Sequence, residues 1–363
     1  MHPILLHLKK IDWILIVISL FLVGFGLLSI YSSSLAKNDF SNFKKQTIFL
    51  IIGLFLMFSL SFLDWRIFRE NSYLILFLYF FCILTLIGLF FFAPEIRGVR
   101  SWYKIGPISV DPIEFTKVIL IILFAKYFSK RHVEMYQVKH ILVSSLYLLI
   151  PSIPVFFQPN LGSILILIFL WVGILIISGI KIRHFLTLCI IGFLVLISVW
   201  LLFLKDYQKQ RIISFFRPKM ELIGIGWSQN QSKIAIGSGG LFGQGIFKGS
   251  QTHYGFLPEP QTDFIFSAIA EETGLIGGGI LLLLFSLLIW RIIKIAFLAE
   301  SNFPKLFCSG LAIILISEIF INIGMNLGLL PIIGVSLPLV SYGGSGLIST
   351  FIALGILQSI RVH

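Results

Sequence analysis

Long apolar runs alternate with short polar segments along most of the chain. An α-helix needs about 20 mostly apolar residues to cross the hydrocarbon core of a bilayer. Ten runs approach or exceed this length, and each predicts a membrane span: residues 12–33, 46–63, 73–92, 112–128, 140–157, 161–179, 183–204, 263–293, 305–328 and 339–361. The pattern therefore predicts an all-α polytopic membrane protein with ten transmembrane helices.

One connection is far longer than the others. It runs from about residue 205 to 262, between the seventh and eighth predicted spans. The sequence shows no internal repeat, so we expect residues 1–363 to form a single transmembrane domain with one long extracytoplasmic loop.

The composition agrees with a membrane protein. Apolar residues make up 57% of the chain and charged residues only 12%, whereas soluble domains average about 25% charged residues. These values exclude a soluble enzyme, a disordered chain and a nucleic-acid-binding domain. Cys82, Cys189 and Cys308 each lie in an apolar run, which indicates packing rather than a disulfide or a zinc site.

The distribution of Lys and Arg predicts the orientation. Ten spans place both termini on one side, and the short loops of that side carry more than twice as many positive residues as the short loops opposite. Positive residues concentrate in short cytoplasmic loops. We therefore expect both termini to be cytoplasmic.

The long loop is nevertheless basic, although the positive-inside rule does not require it. Its positive residues are Lys205, Lys209, Arg211, Arg217, Lys219, Lys233 and Lys248. The loop carries only three carboxylates against them. Adhesion to anionic lipid headgroups is one interpretation. A site for a phosphate-bearing substrate at the outer leaflet is the interpretation that we favour.

Two charged residues open the fourth predicted span. Glu114 and Lys117 lie three residues apart, so a helix places both on one face. Charged groups at membrane depth are costly unless they are paired or hydrated, and they often mark functional sites. The residues alone leave a structural ion pair and a functional pair both open.

Further polar residues lie in the eighth and ninth predicted spans. Asp263 begins the eighth span directly after the basic loop, where a substrate could reach it, and Glu271 lies eight residues farther on. Glu318, Asn322 and Asn326 recur at i, i+4 and i+8, so they share one face of the ninth span. Hydrogen bonds between helices are the simpler explanation for that face.

Two glycine-rich segments invite a phosphate-binding interpretation. Residues 237–245 read GSGGLFGQG, but they follow no strand, and the Lys and Ser/Thr of a nucleotide loop are missing. A nucleotide site is rejected, whereas an anion contact through backbone N–H groups stays open. Residues 341–346 read SYGGSG and indicate either close helix packing or a contact role.

Several segments, in order along the chain, carry a family resemblance: Arg97–Trp102, Asp111–Lys117, Gln158–Ser163, Tyr207–Pro218, Leu257–Phe264, Gly324–Leu330 and Ser341–Ser345. Together they resemble the SEDS family (shape, elongation, division and sporulation) of bacterial membrane proteins. The chain departs from the family pattern at Asn160, where the family has Asp, and at Gln261, where it has His. A catalytic role at Asn160 and a proton relay through residue 261 are therefore not expected.

The resemblance implies a peptidoglycan glycosyltransferase that acts on lipid II at the outer leaflet of the bacterial cytoplasmic membrane. It also implies a class B penicillin-binding protein as the partner that supplies transpeptidation, together with other membrane proteins of the elongation complex. Gly245–Thr252 and Gly324–Gly328 look more like RodA than FtsW, which favours a role in elongation and rod shape.

The resemblance also suggests roles for individual residues. The catalytic Asp of the family corresponds to Asp263, which we expect to be the general base. The residues assigned to substrate binding are Arg100, Trp102, Glu114, Lys117, Arg211, Gln231, Lys233 and Ser341. The cations among them are candidates for the pyrophosphate, because fixed positive charge stabilises a departing anion. A divalent cation, Mg²⁺ or Mn²⁺, could share that task, although the sequence shows no clear metal site.

Two other classes of function fit a polar bundle of ten spans. The first is a transporter that moves lipid II between leaflets, since polar groups inside a bundle also suit a translocation path. The second is a scaffold that only holds the penicillin-binding protein. Leaflet inversion, glycan polymerisation and complex formation distinguish the three functions.

Overall fold

A computed structural model describes residues 3–95, 100–130, 137–204, 208–209, 213, 215 and 225–363. The helices in these residues are α1 (Pro3–Lys10), α2 (Trp13–Lys37), α3 (Ser41–Ser61), α4 (Arg66–Glu70), α5 (Ser72–Phe92), α6 (Pro112–Ser129), α7 (Val138–Phe157), α8 (Leu161–Ile177), α9 (Ile182–Leu202), α10 (Ile225–Gly239), α11 (Ser250–His253), α12 (Ile265–Leu298), α13 (Asn302–Leu327) and α14 (Gly344–Val362).

A helix coincides with each of the ten predicted runs. Eight of these helices are long and apolar enough to span a membrane. Helix α8 has only 17 residues, and α6 carries Glu114, Lys117 and Lys126 within 18 residues. The count of ten spans therefore stays a prediction.

A small sheet interrupts the helical pattern. Strands β1 (Tyr103–Ile105) and β2 (Ile108–Val110) pair antiparallel around a turn at Gly106 and Pro107. The prediction of an all-α chain is wrong for these residues. The Gly-Pro pair is a typical turn signal, but the strands are too short for their periodicity to be recognised.

Capping residues fix where two helices of the later site begin. The side chain of Asp111 accepts the amide of Ile113 (3.2 Å) at the start of α6, where Pro112 occupies the first position. The side chain of Asn160 accepts the amide of Ser163 (3.2 Å) at the start of α8. Asp and Asn are both effective N-caps, so the Asn at position 160 preserves this structural role.

Helix α13 lies at the centre of the bundle, and α9 lies at its edge. The spanning part of α13 is mostly buried, whereas no residue of α9 is buried. Cys82 and Cys308 are buried, as predicted from their apolar surroundings, but Cys189 on α9 is exposed. Lipid-facing surface therefore accounts for much of the apolar composition.

An ion pair of a buried aspartate and a partly buried arginine joins helices at the end of the bundle that carries the N-terminus. Asp12, the N-cap of α2, accepts from the guanidinium of Arg291 on α12 at 2.6 Å. The backbone amide and carbonyl of Asp12 also bond the side-chain amide of Gln358 on α14. Three helices are thereby joined far from the opposite end, where Asp263 lies.

Helix α12 is broken at Gly274, where φ is 68° and ψ is −166°. Two amides of the glycine-rich segment (residues 237–245) donate to the carbonyls of Glu271 and Glu272, at 3.0 and 3.1 Å. Two amides of α12 beyond the break donate to carbonyls of the same segment, at 2.9 and 3.2 Å. The segment thus supplies the backbone hydrogen bonds that the broken helix lacks.

Glycine is required at this junction because two backbones approach each other closely. A Cβ at Gly243 would lie 2.1 Å from the carbonyl oxygen of Glu272, and a Cβ at Gly239 would lie 2.1 Å from that of Ala270. The amides of residues 244 and 245 are already bonded to α12. These two amides therefore donate hydrogen bonds to the broken helix α12 and are not available to bind an anion.

Replacing Gly243 by Ala tests the junction. The clash with Glu272 and the positive φ of 82° should destabilise the protein, with backbone strain alone on the order of 1–3 kcal/mol. We expect Gly243→Ala to lower the melting temperature of the purified protein by several degrees. Gly237→Ala is the matched control, since a Cβ there meets nothing within 4 Å. Equal melting temperatures for the two variants would contradict the role of the junction.

Candidate active site

A cavity of about 360 Å³ opens at the end of the bundle where α6, α8 and α14 begin. Five of the predicted site residues line it: Trp102, Glu114, Lys117, Asp263 and Ser341. They come from four separate parts of the chain, and the fold brings them together around one space.

The backbone around Asp263 is fixed at three successive carbonyl groups. The amide of Tyr342 donates to the carbonyl of Gln261 (2.7 Å), and the hydroxyl of Ser341 donates to that of Thr262 (2.7 Å). The carbonyl of Asp263 accepts from the side-chain amides of Asn322 and Asn326, at 3.1 and 2.9 Å. Asp263 itself is half-buried and borders the cavity, two residues before α12 begins. Its main chain is therefore held from both α13 and the segment that leads into α14.

The polar face predicted on the ninth span forms hydrogen bonds between helices. Asn322 and Asn326 are fully buried on α13. Asn326 also accepts from the amide and hydroxyl of Ser267 on α12, at 3.2 and 2.5 Å. The hydroxyl of Ser232 on α10 donates to the carbonyl of Asn326 at 2.7 Å. Sequence reasoning missed the two serines, because isolated serines in apolar helices are common and carry no spacing signal.

Lys117 lies between two carboxylates. Its ammonium is 2.8 Å from Glu114, three residues earlier on α6, and 2.5 Å from Glu318 on α13. Lys117 and Glu318 are both buried. The ion pair inferred from the sequence is therefore present, and Glu318 extends it to a three-residue cluster. A lysine that is shared by two carboxylates is a weaker ligand for a pyrophosphate than an unpaired one.

The described wall of the cavity is acidic. Its charged residues are Asp111, Glu114, Lys117, Asp263 and Glu318. Burial raises the pKa of Asp111 to about 8, and the charge of Glu114 acts in the same direction. Even without Asp111, three carboxyl groups of the described wall face a single lysine. This wall suits neutral hydroxyl groups better than a phosphate.

Three other predicted binding residues, Arg100, Gln231 and Lys233, do not line the cavity. Arg100 is exposed and pairs with Glu95 at 3.1 Å. Gln231 and Lys233 lie on α10, where Lys233 is exposed. Arg211 lies outside the described residues, as do Arg97 and most of the segment 207–218.

Gln261, the second position at which the chain departs from the family pattern, contacts side chains of two helices. The side-chain oxygen of Gln261 accepts from Asn42 on α3 at 2.7 Å, and its amide group lies 3.5 Å from the hydroxyl of Ser34 on α2. Gln261 thus joins the Asp263 loop to two helices. Within the described part of the chain, no three His, Cys, Asp or Glu side chains are arranged to hold a metal ion.

Comparison with known proteins identifies the family. The FtsW/RodA/SpoVE family model, described as cell cycle proteins, matches residues 11–363. The chain belongs to this family. Stage V sporulation protein E of Bacillus subtilis is 35% identical over 96% of both chains. Peptidoglycan glycosyltransferase MrdB of Escherichia coli is 34% identical over 97% of this chain and 94% of MrdB.

A solved structure of the FtsW/RodA/SpoVE fold extends the similarity to three dimensions. A chain of a peptidoglycan synthase complex, described as coordinating polymerization and crosslinking, is 30% identical over 97% of both chains, with a TM-score of 0.82. The predictions of a SEDS protein and of a peptidoglycan glycosyltransferase are confirmed, and the chain is a multi-pass protein of the bacterial inner membrane. Relatives of nearly equal identity carry sporulation and MrdB names, so the RodA-like subtype stays a prediction.

Removing Lys117 tests the charge cluster in this SEDS chain. Lys117→Ala leaves Glu114 and Glu318 facing each other without a cation, and breaking a buried ion pair costs about 3–5 kcal/mol. We expect a large fall in the yield and melting temperature of the purified protein. Lys248→Ala, at an exposed position, should leave both unchanged. Equal tolerance of the two substitutions would count against the cluster.

Proposed function

We propose that the chain polymerises lipid II into glycan strands at the outer leaflet of the cytoplasmic membrane, with the cavity on the outer side and both termini in the cytoplasm. The names of its relatives and the cavity around Asp263 support this function. The charge distribution of the short loops supports the orientation. Residues 1–363 act as one transmembrane domain in this proposal.

The reaction is an inverting displacement. The 4-hydroxyl of the acceptor sugar attacks the anomeric carbon of the donor, and the Asp263 carboxylate takes the hydroxyl proton. The new glycosidic bond forms as the bond to the lipid pyrophosphate breaks, and the pyrophosphate leaves with the electron pair. A single inversion converts the α-linked donor to a β-linked product, so one base is sufficient.

The fixed main chain of Asp263 is the observation that carries the proposal. Hydrogen bonds at residues 261, 262 and 263 hold the backbone, while the carboxylate borders the cavity. A base that is positioned before the substrate binds needs little reorganisation during the reaction. Ser341 contributes by holding Thr262, and Trp102 offers an aromatic wall of the cavity on which a sugar could stack.

The leaving group needs more positive charge than the described part of the cavity wall provides. Lys117 is engaged by two carboxylates. We assign the pyrophosphate to the basic loop instead, with Arg211 and Lys233 as its cations and Gln231 as a neighbouring polar contact. Arg100 would join them by exchanging its exposed pairing with Glu95 for the pyrophosphate.

The partner in this proposal is a class B penicillin-binding protein that supplies transpeptidation. The similarity to a chain of a synthase complex that coordinates polymerization and crosslinking supports it. Other membrane proteins of the elongation complex would assemble around the pair.

Replacing Asp263 by Asn tests the assignment of the base. With the partner bound and labelled lipid II supplied, Asp263→Asn should lower the polymerisation rate by roughly 10²–10⁴-fold, because a general base is removed without a change of shape. Asp64→Asn, which changes a partly exposed carboxylate at the opposite end of the bundle, is the control and should keep the wild-type rate. Long strands formed by Asp263→Asn at the wild-type rate would refute the assignment.

The same preparations separate the two other functions. Movement of lipid II between leaflets without polymerisation by the wild-type protein would indicate a transporter. Full function of Asp263→Asn wherever the complex still forms would indicate a scaffold.

The proposed role in elongation can be tested in cells. The RodA-like segments Gly245–Thr252 and Gly324–Gly328 lead us to expect that the chain restores rod shape to bacteria depleted of their elongation polymerase. Bacteria depleted of their division polymerase should stay filamentous when the same chain is expressed. Microscopy of both strains measures the outcome, and rescue of division alone would contradict the elongation role.

A further inference from the structure

The carboxylate of Glu271 on α12 bonds α11 and so joins the two ends of a chain segment that contains Asp263. Glu271 is fully buried on α12 and accepts four hydrogen bonds, all from α11. The amides of Gln251 and Thr252 donate at 2.6 and 3.1 Å, and the hydroxyls of Thr252 and Ser250 donate at 2.7 and 3.3 Å. Four donors converge on the two oxygens of one buried carboxyl group, so this contact is a firm anchor.

Helix α11 lacks a cap of its own, so its first amides depend on two side chains from elsewhere: Gln244 accepts from Ser250 at 2.9 Å, and Glu271 accepts from Gln251 and Thr252. The first amides of any helix have no partner inside the helix. The residue before α11 is Gly249, which has no side chain to accept them. A Cβ at Gly249 would lie only 2.8 Å from the Oε2 atom of Glu271. Glycine at this position therefore leaves room for a carboxylate from another helix to act as the cap.

A continuous set of contacts leads from α11 to Asp263. The amide of Leu257 donates to the carbonyl of Gln251 at 3.0 Å. Leu257 is buried and packs in a small cluster that includes Phe264. The amide of Phe264 donates to the carbonyl of Glu259 at 3.3 Å. A displacement of α11 would therefore shift the residues on both sides of Asp263.

Glu272 makes a weaker contact with the same helix. Its carboxylate accepts from the hydroxyl of Ser32 on α2, and it lies 3.9 Å from the Nε2 atom of His253. Ser32 and His253 are 3.2 Å apart. This contact joins α11 to α2, but most of the hydrogen bonds that hold the start of α11 belong to Glu271.

We propose that Glu271 is a positioning residue for Asp263: by holding the start of α11, it fixes residues 250–264 and directs the Asp263 carboxylate toward the cavity. The inference rests on the proposed function in assigning catalysis to Asp263. The anchoring of the loop by Glu271 can be measured independently of catalysis.

Steady-state kinetics of the complex with the partner tests the inference. Glu271→Ala should lower kcat with lipid II at least about tenfold, because displacement of a catalytic group is costly. KM should stay within about twofold, since Glu271 lies outside the described cavity wall. Glu271→Gln keeps one acceptor oxygen and should restore part of kcat. Glu300→Gln changes an exposed glutamate beyond the end of α12 and should match the wild type.

Hydrogen exchange followed by mass spectrometry measures the anchoring directly. In Glu271→Ala, the amides of residues 250–264 should exchange faster, while those of α13 and α14 should be unchanged. Thr252→Val is the second variant, for use even if Glu271→Ala fails to fold. It removes the 2.7 Å hydroxyl contact with little change in volume and should lower kcat by a smaller factor.

Three results would overturn the inference. They are an unchanged kcat when residues 250–264 exchange faster, a raised KM with an unchanged kcat, and faster exchange throughout the chain in both variants. If the wild-type complex fails to polymerise lipid II, the proposed function fails instead. The exchange experiment would then still decide whether Glu271 anchors the loop.

Discussion

The hydrogen bonds to the carbonyl groups of residues 261, 262 and 263 are the constraint on which the rest of the site depends. Residues 261–263 have no helix of their own to hold them, because α12 begins at Ile265. Their partners come from α13 and from Ser341 and Tyr342. The buried asparagines lose their contact with water on folding, and the carbonyl of Asp263 replaces part of it. The packing of α13 and the placement of the Asp263 carboxylate therefore depend on the same hydrogen bonds.

The periodicity of the sequence predicts much of this arrangement. Apolar runs locate the ten helices, and spacings of three and four residues place Glu114 beside Lys117 and Asn322 beside Asn326. Contacts between distant segments are not visible in such local patterns. The pairing of Lys117 with Glu318 and the junction between residues 237–245 and α12 each join residues that are far apart along the chain. The same limit hides the role of Ser232 and Ser267.

The number of charged residues in a loop is also a limited guide to the structure of the site. The basic loop predicts an anion site beside Asp263, yet the described cavity wall is acidic, and Arg100 and Lys233 lie outside it. A count of charges in a loop does not determine where each side chain points. In the proposed reaction, an acidic wall suits the neutral hydroxyls of a sugar, and a separate basic surface suits the pyrophosphate. The sugar and the pyrophosphate would then lie in an acidic and a basic environment, on either side of the bond that breaks.

The order of these contacts along the chain has a consequence for biogenesis. The glycine-rich segment is synthesised before α12, so it is available to complete the broken helix as soon as residues 271–276 emerge. The side chains and the amide that bond the carbonyl groups of residues 261–263 are different, since they lie between Asn322 and Tyr342. Spans can enter the membrane one at a time because an unbroken helix satisfies its own backbone. The backbone at Asp263, however, acquires its carbonyl partners only after α13 and the segment leading into α14 have been synthesised, when translation is almost complete.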